Sequence, residues 1–214
     1  MMCLHGLKAA SFSLALGGAV LSLGAGGAAA NPFPPEVWQC YRNESFTVLA
    51  SEKKDEVGTR FLVRKSTPAI KADCAIEQRP GDRVIGEGAN PDDMLALYYV
   101  ALVKPLLILD SGTGPDRTLV IQDLRTGKKV LEADYSVQDN CDPTSGCESD
   151  EFRIDEKGLT FWREVAEPAT AKNCTNYARF MKTTGSAAIE EKTFFNFSTL
   201  KSESQKARRC AARQ

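Results

Sequence analysis

The stretch from Leu106 to Tyr135, LLILDSGTGPDRTLVIQDLRTGKKVLEADY, restricts the fold more than any other part of the chain. Three segments with strand composition, LLILD, RTLVIQDL and KVLEADY, are separated by SGTGPD and RTGK. Apolar residues alternate in the flanking strands, and Gly112, Gly114, Pro115 and Gly127 supply the dihedral angles of tight reversals. The pattern is strand–turn–strand–turn–strand, an antiparallel meander.

The turn from Asp123 to Lys128, DLRTGK, gives this stretch a further association. It resembles one hairpin unit of a β-propeller blade, in which such turns recur. The resemblance covers these thirty residues, uses turns that any antiparallel meander needs, and implies a blade-like sheet. Too few further copies are visible for a full propeller.

Other segments repeat the β pattern. FTVLA (46–50) and RFLVR (60–64) flank the charged, glycine-containing SEKKDEVGT and read as a hairpin. LALYYVALV (95–103) is apolar throughout, which fits a strand at the centre of a core; a short buried helix over 91–103, capped by Asp92 or Asp93, is the alternative. EFRID (151–155) and LTFWREV (159–165) form another hairpin about EKG, with Phe161 and Trp162 on opposite faces. KTFFNFSTL (192–200) places Phe195 and Phe197 on one face, and a turn at Lys201–Glu203 returns the chain through SQKARRC. A helix over 187–200 is the competing reading there, disfavoured by its phenylalanines and threonines. With no low-complexity linker, one all-β antiparallel domain is expected: a curved sheet, sandwich or small propeller-like unit.

The first thirty residues carry one lysine, Lys8, then an uncharged Gly- and Ala-rich run ending in Ala28-Ala29-Ala30. This is the pattern of a cleaved secretory signal, so residues 1–30 are expected to be a leader and 31–214 the exported domain, periplasmic or secreted. Cys3 precedes the apolar run, which argues against lipid modification. Length beyond the leader is ample for one core, burying roughly 70 % of the unfolded chain's surface. Charge is nearly balanced, with 27 Lys and Arg against 28 Asp and Glu. That balance offers no case for nucleic acid or an anionic membrane as partner.

Of seven cysteines one, Cys3, lies in the leader, which leaves six for a disulfide framework in an oxidising compartment. Closure within each local hairpin or loop predicts three nearest-neighbour bridges: Cys40–Cys74, Cys141–Cys147 and Cys174–Cys210. The single histidine, His5, is also in the leader. The exported chain therefore lacks the imidazole that Ser-His-Asp and Cys-His catalysis, His-ligated zinc and His-held haem all require. If every cysteine is bridged, thiolate chemistry goes as well. Gly112-Thr113-Gly114 is a lone G-x-G followed by proline between strands, and it is no phosphate loop. No cofactor is expected, and no catalytic residue is assigned. Paired-carboxylate glycoside hydrolysis remains open, with Asp110, Asp116, Asp123, Glu132 and Asp134 as candidates that no spacing ranks.

The segment DNCDPTSGCESDE (139–151) sets Cys141 and Cys147 among five acidic residues. A redox reading would need C-x-x-C at a helix start, which is absent. A calcium site from Asp139, Asp142, Glu148 and Asp150 is chemically reasonable but lacks EF-hand order. The favoured expectation is a stapled surface loop turned by Asp142-Pro143 and Ser145-Gly146, with Asp142, Glu148 and Asp150 as a contact for a cationic partner. Aromatic candidates for a second contact are Trp38, Tyr41, Tyr98, Tyr99 and Trp162, most of them expected in the core. Sequons at Asn43, Asn173 and Asn196 are read as incidental. The expectation is an exported non-catalytic binder of an envelope or extracellular protein, an inhibitor or protective protein. A carboxylate glycosidase and a calcium-stabilised module are the alternatives.

Overall fold

In the computed structural model, residues 38–54, 56–87, 96–137 and 152–214 are described. The chain forms three antiparallel four-stranded sheets, each built from consecutive strands. The first contains β1 (Gln39–Arg42), β2 (Phe46–Glu52), β3 (Thr59–Lys65) and β4 (Arg83–Ile85). The second contains β5 (Leu97–Val103), β6 (Leu106–Ser111), β7 (Asp116–Asp123) and β8 (Lys128–Ser136). The third contains β9 (Phe152–Ile154), β10 (Gly158–Pro168), β11 (Ser186–Asn196) and β12 (Lys201–Arg213). The meander legible at 106–135 is thus three strands of the second sheet, and the same four-strand plan occurs in all three.

Why the second sheet is so apolar follows from the side-chain alternation of strands. On β6, Leu107 and Leu109 join a cluster with Val48, Phe61, Val63 and Ile85 of the first sheet, while Leu106 and Ile108 join one with Leu159, Phe161 and Phe195 of the third. On β7, Val120 goes to the first cluster, Leu119 and Ile121 to the second. A sheet packed on both faces needs apolar residues at both parities, and a continuous run results. On β5 a register shift between Tyr99 and Ala101 places Val100 and Ala101 together against the second cluster, with Tyr99 and Leu102 on the first. That is the effect of a bulge, which re-aims the residues after it. Of the strand expected over 95–103, residues 97–103 are strand and not helix; residues 91–95 lie outside the described residues.

Two glycines are required by close approach. An added Cβ at Gly158 would stand 2.3 Å from the Phe195 carbonyl oxygen and 2.5 Å from the Phe194 ring. At Gly58, φ is +100° and an added Cβ would meet Ala96 Cα at 2.8 Å. Contact excludes a side chain at both positions, and backbone conformation is a second ground at Gly58.

Two disulfides are described, Cys40–Cys74 and Cys174–Cys210, both of them nearest-neighbour pairs. Cys141 and Cys147 lie outside the described residues, so two bridges stand where three were expected. The first bridge ties β1 to α1 (Ile70–Asp73), a single helical turn in the β3–β4 connection. The second ties β12 to the chain before α2 (Tyr177–Thr183). There Cys174, Phe180 and Ile189 make a small apolar cluster. Structural disulfides of this kind belong to an oxidising environment, extracellular or periplasmic. Among the described residues, no helix is long and apolar enough to cross a membrane.

The β11–β12 reversal corrects one expectation. Residues 192–196 are strand, as the favoured reading had it, but the turn falls at 197–200 and Lys201 already belongs to β12. Asn196 ends the strand early: its Oδ1 accepts the N–H groups of Ser198 and Thr199 at 2.9 and 3.0 Å. Leu200 completes the turn at φ 55°. An Asx turn satisfies backbone donors that a continued ladder would otherwise hold.

Candidate interaction surface

The acidic segment expected to contact a partner or hold calcium (Asp139, Asp142, Glu148 and Asp150, with Cys141 and Cys147) lies outside the described residues. No group of three or more His, Cys, Asp or Glu arranged for a metal is found among the described residues. The carboxylates proposed for hydrolysis are dispersed, each with its own structural partner. Asp110 accepts the Tyr135 hydroxyl and the Arg117 guanidinium, both at 2.8 Å. Burial nevertheless pushes it above the usual carboxylate range. Asp123 is gripped by two nitrogens of Arg125 at 3.0 and 2.8 Å, and this holds it below that range. Glu132 pairs with Lys129 and Asp134 accepts from Thr118 Oγ1.

One carboxylate pair was not found from sequence. Glu164 of β10 and Glu190 of β11 are direct cross-strand partners. Adjacent carboxylates suggest hydrolysis, but their surroundings assign them to joining the second and third sheets. Glu190 is fully buried; Arg209 Nε donates to its Oε2 at 2.6 Å and the Ser136 backbone N–H to its Oε1 at 2.5 Å. Glu164 pairs with Arg213, which also donates to Asp116 Oδ1, Ser136 Oγ and the Tyr135 carbonyl. Burial raises Glu164 first; Arg213 opposes, and Asp134, Glu190 and Asp116 add to the rise. Glu190 is enclosed by an arginine and a backbone amide, out of reach of a glycosidic oxygen, while Glu164, 34 % exposed, is held by Arg213, so the two carboxylates do not flank an open site together.

The aromatic side chains named as contact candidates do not assemble as one surface. Trp162 is buried, with Arg209 and Lys192 over its ring at 4.6 and 5.5 Å. Tyr41 stacks on Tyr99 with ring centroids 3.5 Å apart, against the first cluster. Trp38 receives Arg60 and Tyr98 receives Arg117 over their rings.

The feature that stands out as a presented surface is the connection between β3 and β4, residues 66–82. Long connections are usually the mobile parts of a sheet protein. This one is fixed from beneath by a single side chain. Arg64, on buried β3, donates Nη1 to the carbonyls of Asp73 and Ala75 at 3.1 and 2.9 Å, and Nη2 to that of Glu77 and to Asp82 Oδ2 at 2.9 and 2.6 Å. Both members of the Arg64–Asp82 ion pair are buried. A planar guanidinium is suited to this because its donors diverge in a rigid fork. The Arg79 N–H closes the far end by donating to Asp82 Oδ2 at 2.9 Å.

The near end is fixed by Asp73. Its carboxylate accepts the Thr67 N–H at 2.6 Å and the Thr67 hydroxyl at 2.9 Å, and pairs with Arg42 at 3.3 Å. The Thr67 N–H does most to hold Asp73 below the ordinary range, with the Thr67 hydroxyl and Arg42 adding, against the opposing effect of burial. Cys40–Cys74 closes the same end covalently. Above this base stand Ile70 and Ile76, 57 % and 56 % exposed. Val57 and Met181 are the other exposed large apolar side chains among the described residues. Arg64 reads in sequence as an ordinary strand-end charge, and its partners are mostly carbonyls, which have no side-chain signature.

Comparison of the chain with protein-family models, curated proteins and solved structures finds no match.

Proposed function

We propose that this chain is an exported, non-catalytic binding protein whose partner is a protein of the cell envelope or extracellular space, acting as an inhibitor or protective protein. The observation that carries the reading is the ridge at 66–82: two exposed isoleucines on a segment locked by a disulfide, a buried arginine and a capped aspartate. Apolar side chains presented on a pre-ordered segment bind with little further loss of conformational entropy, which is the main cost a mobile loop would incur. The fully buried core of a protein interface is also more apolar than the surface around it. The absence of histidine beyond residue 5, and the structural partners of Asp110, Asp123, Glu132, Asp134 and Glu190, support a binder over a hydrolase.

The test is capture from envelope and culture extracts with the oxidised exported domain, run beside Ile70→Glu and Ile76→Glu. One stoichiometric protein, retained by the parent and lost by both variants, is the expected result. A partner retained by both variants but lost when Asp142, Glu148 and Asp150 become Asn or Gln would move the contact to the acidic segment. No reproducible partner would overturn the reading.

A further inference from the structure

The two described disulfides differ in access. Cys40 is exposed on β1, a four-residue strand at the edge of the first sheet, and Cys74 is half-buried at the end of α1. Cys174 is 2 % exposed, and Cys210 packs beside it in the apolar cluster of Phe180 and Ile189. Thiol–disulfide exchange begins when a thiolate reaches one sulfur of the bridge, so access separates an exchangeable bridge from an inert one.

What the exposed bridge holds is narrowly defined. It does not hold the first sheet together, because β2 and β3 pair along their whole length and are largely buried. It holds α1, a single turn of four residues, far too short to persist as a helix unaided. The other tie from β1 to this turn is Arg42, which donates to the Thr67 carbonyl and pairs with Asp73 at 3.3 Å while itself partly exposed. An ion pair open to solvent is a weak tie. Ile70 lies within α1 and depends on it. Ile76 does not, because the carbonyls on either side of it, Ala75 and Glu77, are held by Arg64 from β3.

We propose that Cys40–Cys74 is an exchange site for a dithiol, and that its reduction releases α1, with Ile70, while the rest of the domain stays folded. A thiolate of the dithiol attacks Sγ of Cys40, forms a mixed disulfide there and expels the Cys74 thiolate, which takes up a proton. The second thiol of the donor, as its thiolate, attacks the donor's own sulfur in the mixed disulfide. This expels the Cys40 thiolate, which is protonated in turn. Two electrons pass to the protein, and the donor leaves as its disulfide. The consequence for binding rests on the ridge being the surface that meets a partner; the exchange itself does not.

The experiment treats the oxidised exported domain in native buffer with dithiothreitol and, in a second arm, with reduced thioredoxin. Freed thiols are alkylated and assigned by peptide mass spectrometry. Cys40 and Cys74 should be labelled by dithiothreitol about ten-fold faster than Cys174 and Cys210, or more. The same selectivity with thioredoxin extends the donor to dithiol proteins; selectivity with dithiothreitol alone confines it to small dithiols. In the reduced, alkylated protein, and in a Cys40→Ser/Cys74→Ser variant that needs no reductant, amides 67–74 should exchange about ten-fold faster. Those of Arg79 and of β2 and β3 should not change. Should the variant fail to fold, the reduced protein decides alone. Equal labelling of the two bridges, earlier labelling of Cys174 and Cys210, unchanged exchange over 67–74, or faster exchange throughout the domain would each overturn the proposal. Partner capture is scored separately: capture that survives the release of α1 would count against the use of Ile70 in binding and leave the exchange site standing.

Discussion

The two described disulfides close loops of nearly equal length, with sequence separations of 34 and 36, in surroundings of opposite character. Cys40–Cys74 sits at the base of the ridge among polar groups: Arg64 under the carbonyls, Asp73 on Thr67, Arg42 on Asp73. Cys174–Cys210 sits in an apolar pocket with Phe180 and Ile189, and Ile189 is the direct cross-strand partner of Cys210. Chain entropy assigns both bridges about 4 kcal/mol, because only loop length enters. Any difference between them must therefore come from what surrounds the sulfurs. The polar region fixes the shape of an exposed segment, whereas the apolar region fastens a helix to a sheet.

The largest effect expected from this comparison is at Arg64. Arg64→Ala leaves Asp82 buried without its cation and several carbonyls without a donor, and should cost about 3–5 kcal/mol in urea unfolding. A loss under about 1 kcal/mol would mean that the disulfide alone shapes the ridge. Next come the double replacements of each cysteine pair by alanine, with losses of about 2–5 kcal/mol. The Cys174/Cys210 variant should lose more than the Cys40/Cys74 variant, since it also removes buried contacts. The reverse order would break the assignment of polar and apolar roles.

Acid should separate the regions more gently. Asp73 is held below its ordinary value of 3.8, so its contribution is complete above that pH and is lost as pH falls through the depressed folded value. Asp110 and Glu164 are raised, so their contribution has the opposite sign: it is present at low pH and is lost as pH rises through their folded values. Thermal stability should thus rise slightly as pH falls from 7 through the folded values of Asp110 and Glu164, and decline only at lower pH, where Asp73 becomes protonated. Amide signals of 67–75 should broaden or exchange before those of 177–183, whose nearby depressed carboxylate, Glu167, lies at the surface. Asp73→Asn should abolish that order. The smallest effect belongs to Ile70→Ala and Ile76→Ala, which should change stability by no more than about 0.5 kcal/mol while weakening partner capture. A large loss of stability would make these side chains structural.

Much of the fold was legible because its signals are local. Alternation and turn residues marked most strands, and unbroken apolar runs marked the sheet packed on both faces. Proximity in sequence identified both described disulfides. The missing parts depend on distance or on very short elements. A helix of four or seven residues, like α1 or α2, spans too few turns to show a 3.6-residue period. The Glu164–Glu190 pairing depends on register between strands separated by an entire loop and helix. The sequon asparagines proved to be turn formers: Asn43 Oδ1 accepts from Ser45 and Phe46, and Asn173 Oδ1 from Thr170. The acidic segment was conspicuous by composition. The ridge was not, because backbone carbonyls hold it.

Amide hydrogen exchange resolved along residues 66–82 tests the locked ridge most directly. The N–H groups of Thr67, Asp73, Cys74 and Arg79 are all hydrogen-bonded within the connection, to Asp73, Ala69, Ile70 and Asp82. They should exchange as slowly as the amides of β3, and faster when Arg64 is replaced. Exchange at the rate of an unprotected chain would show a mobile loop and contradict a pre-ordered binding surface.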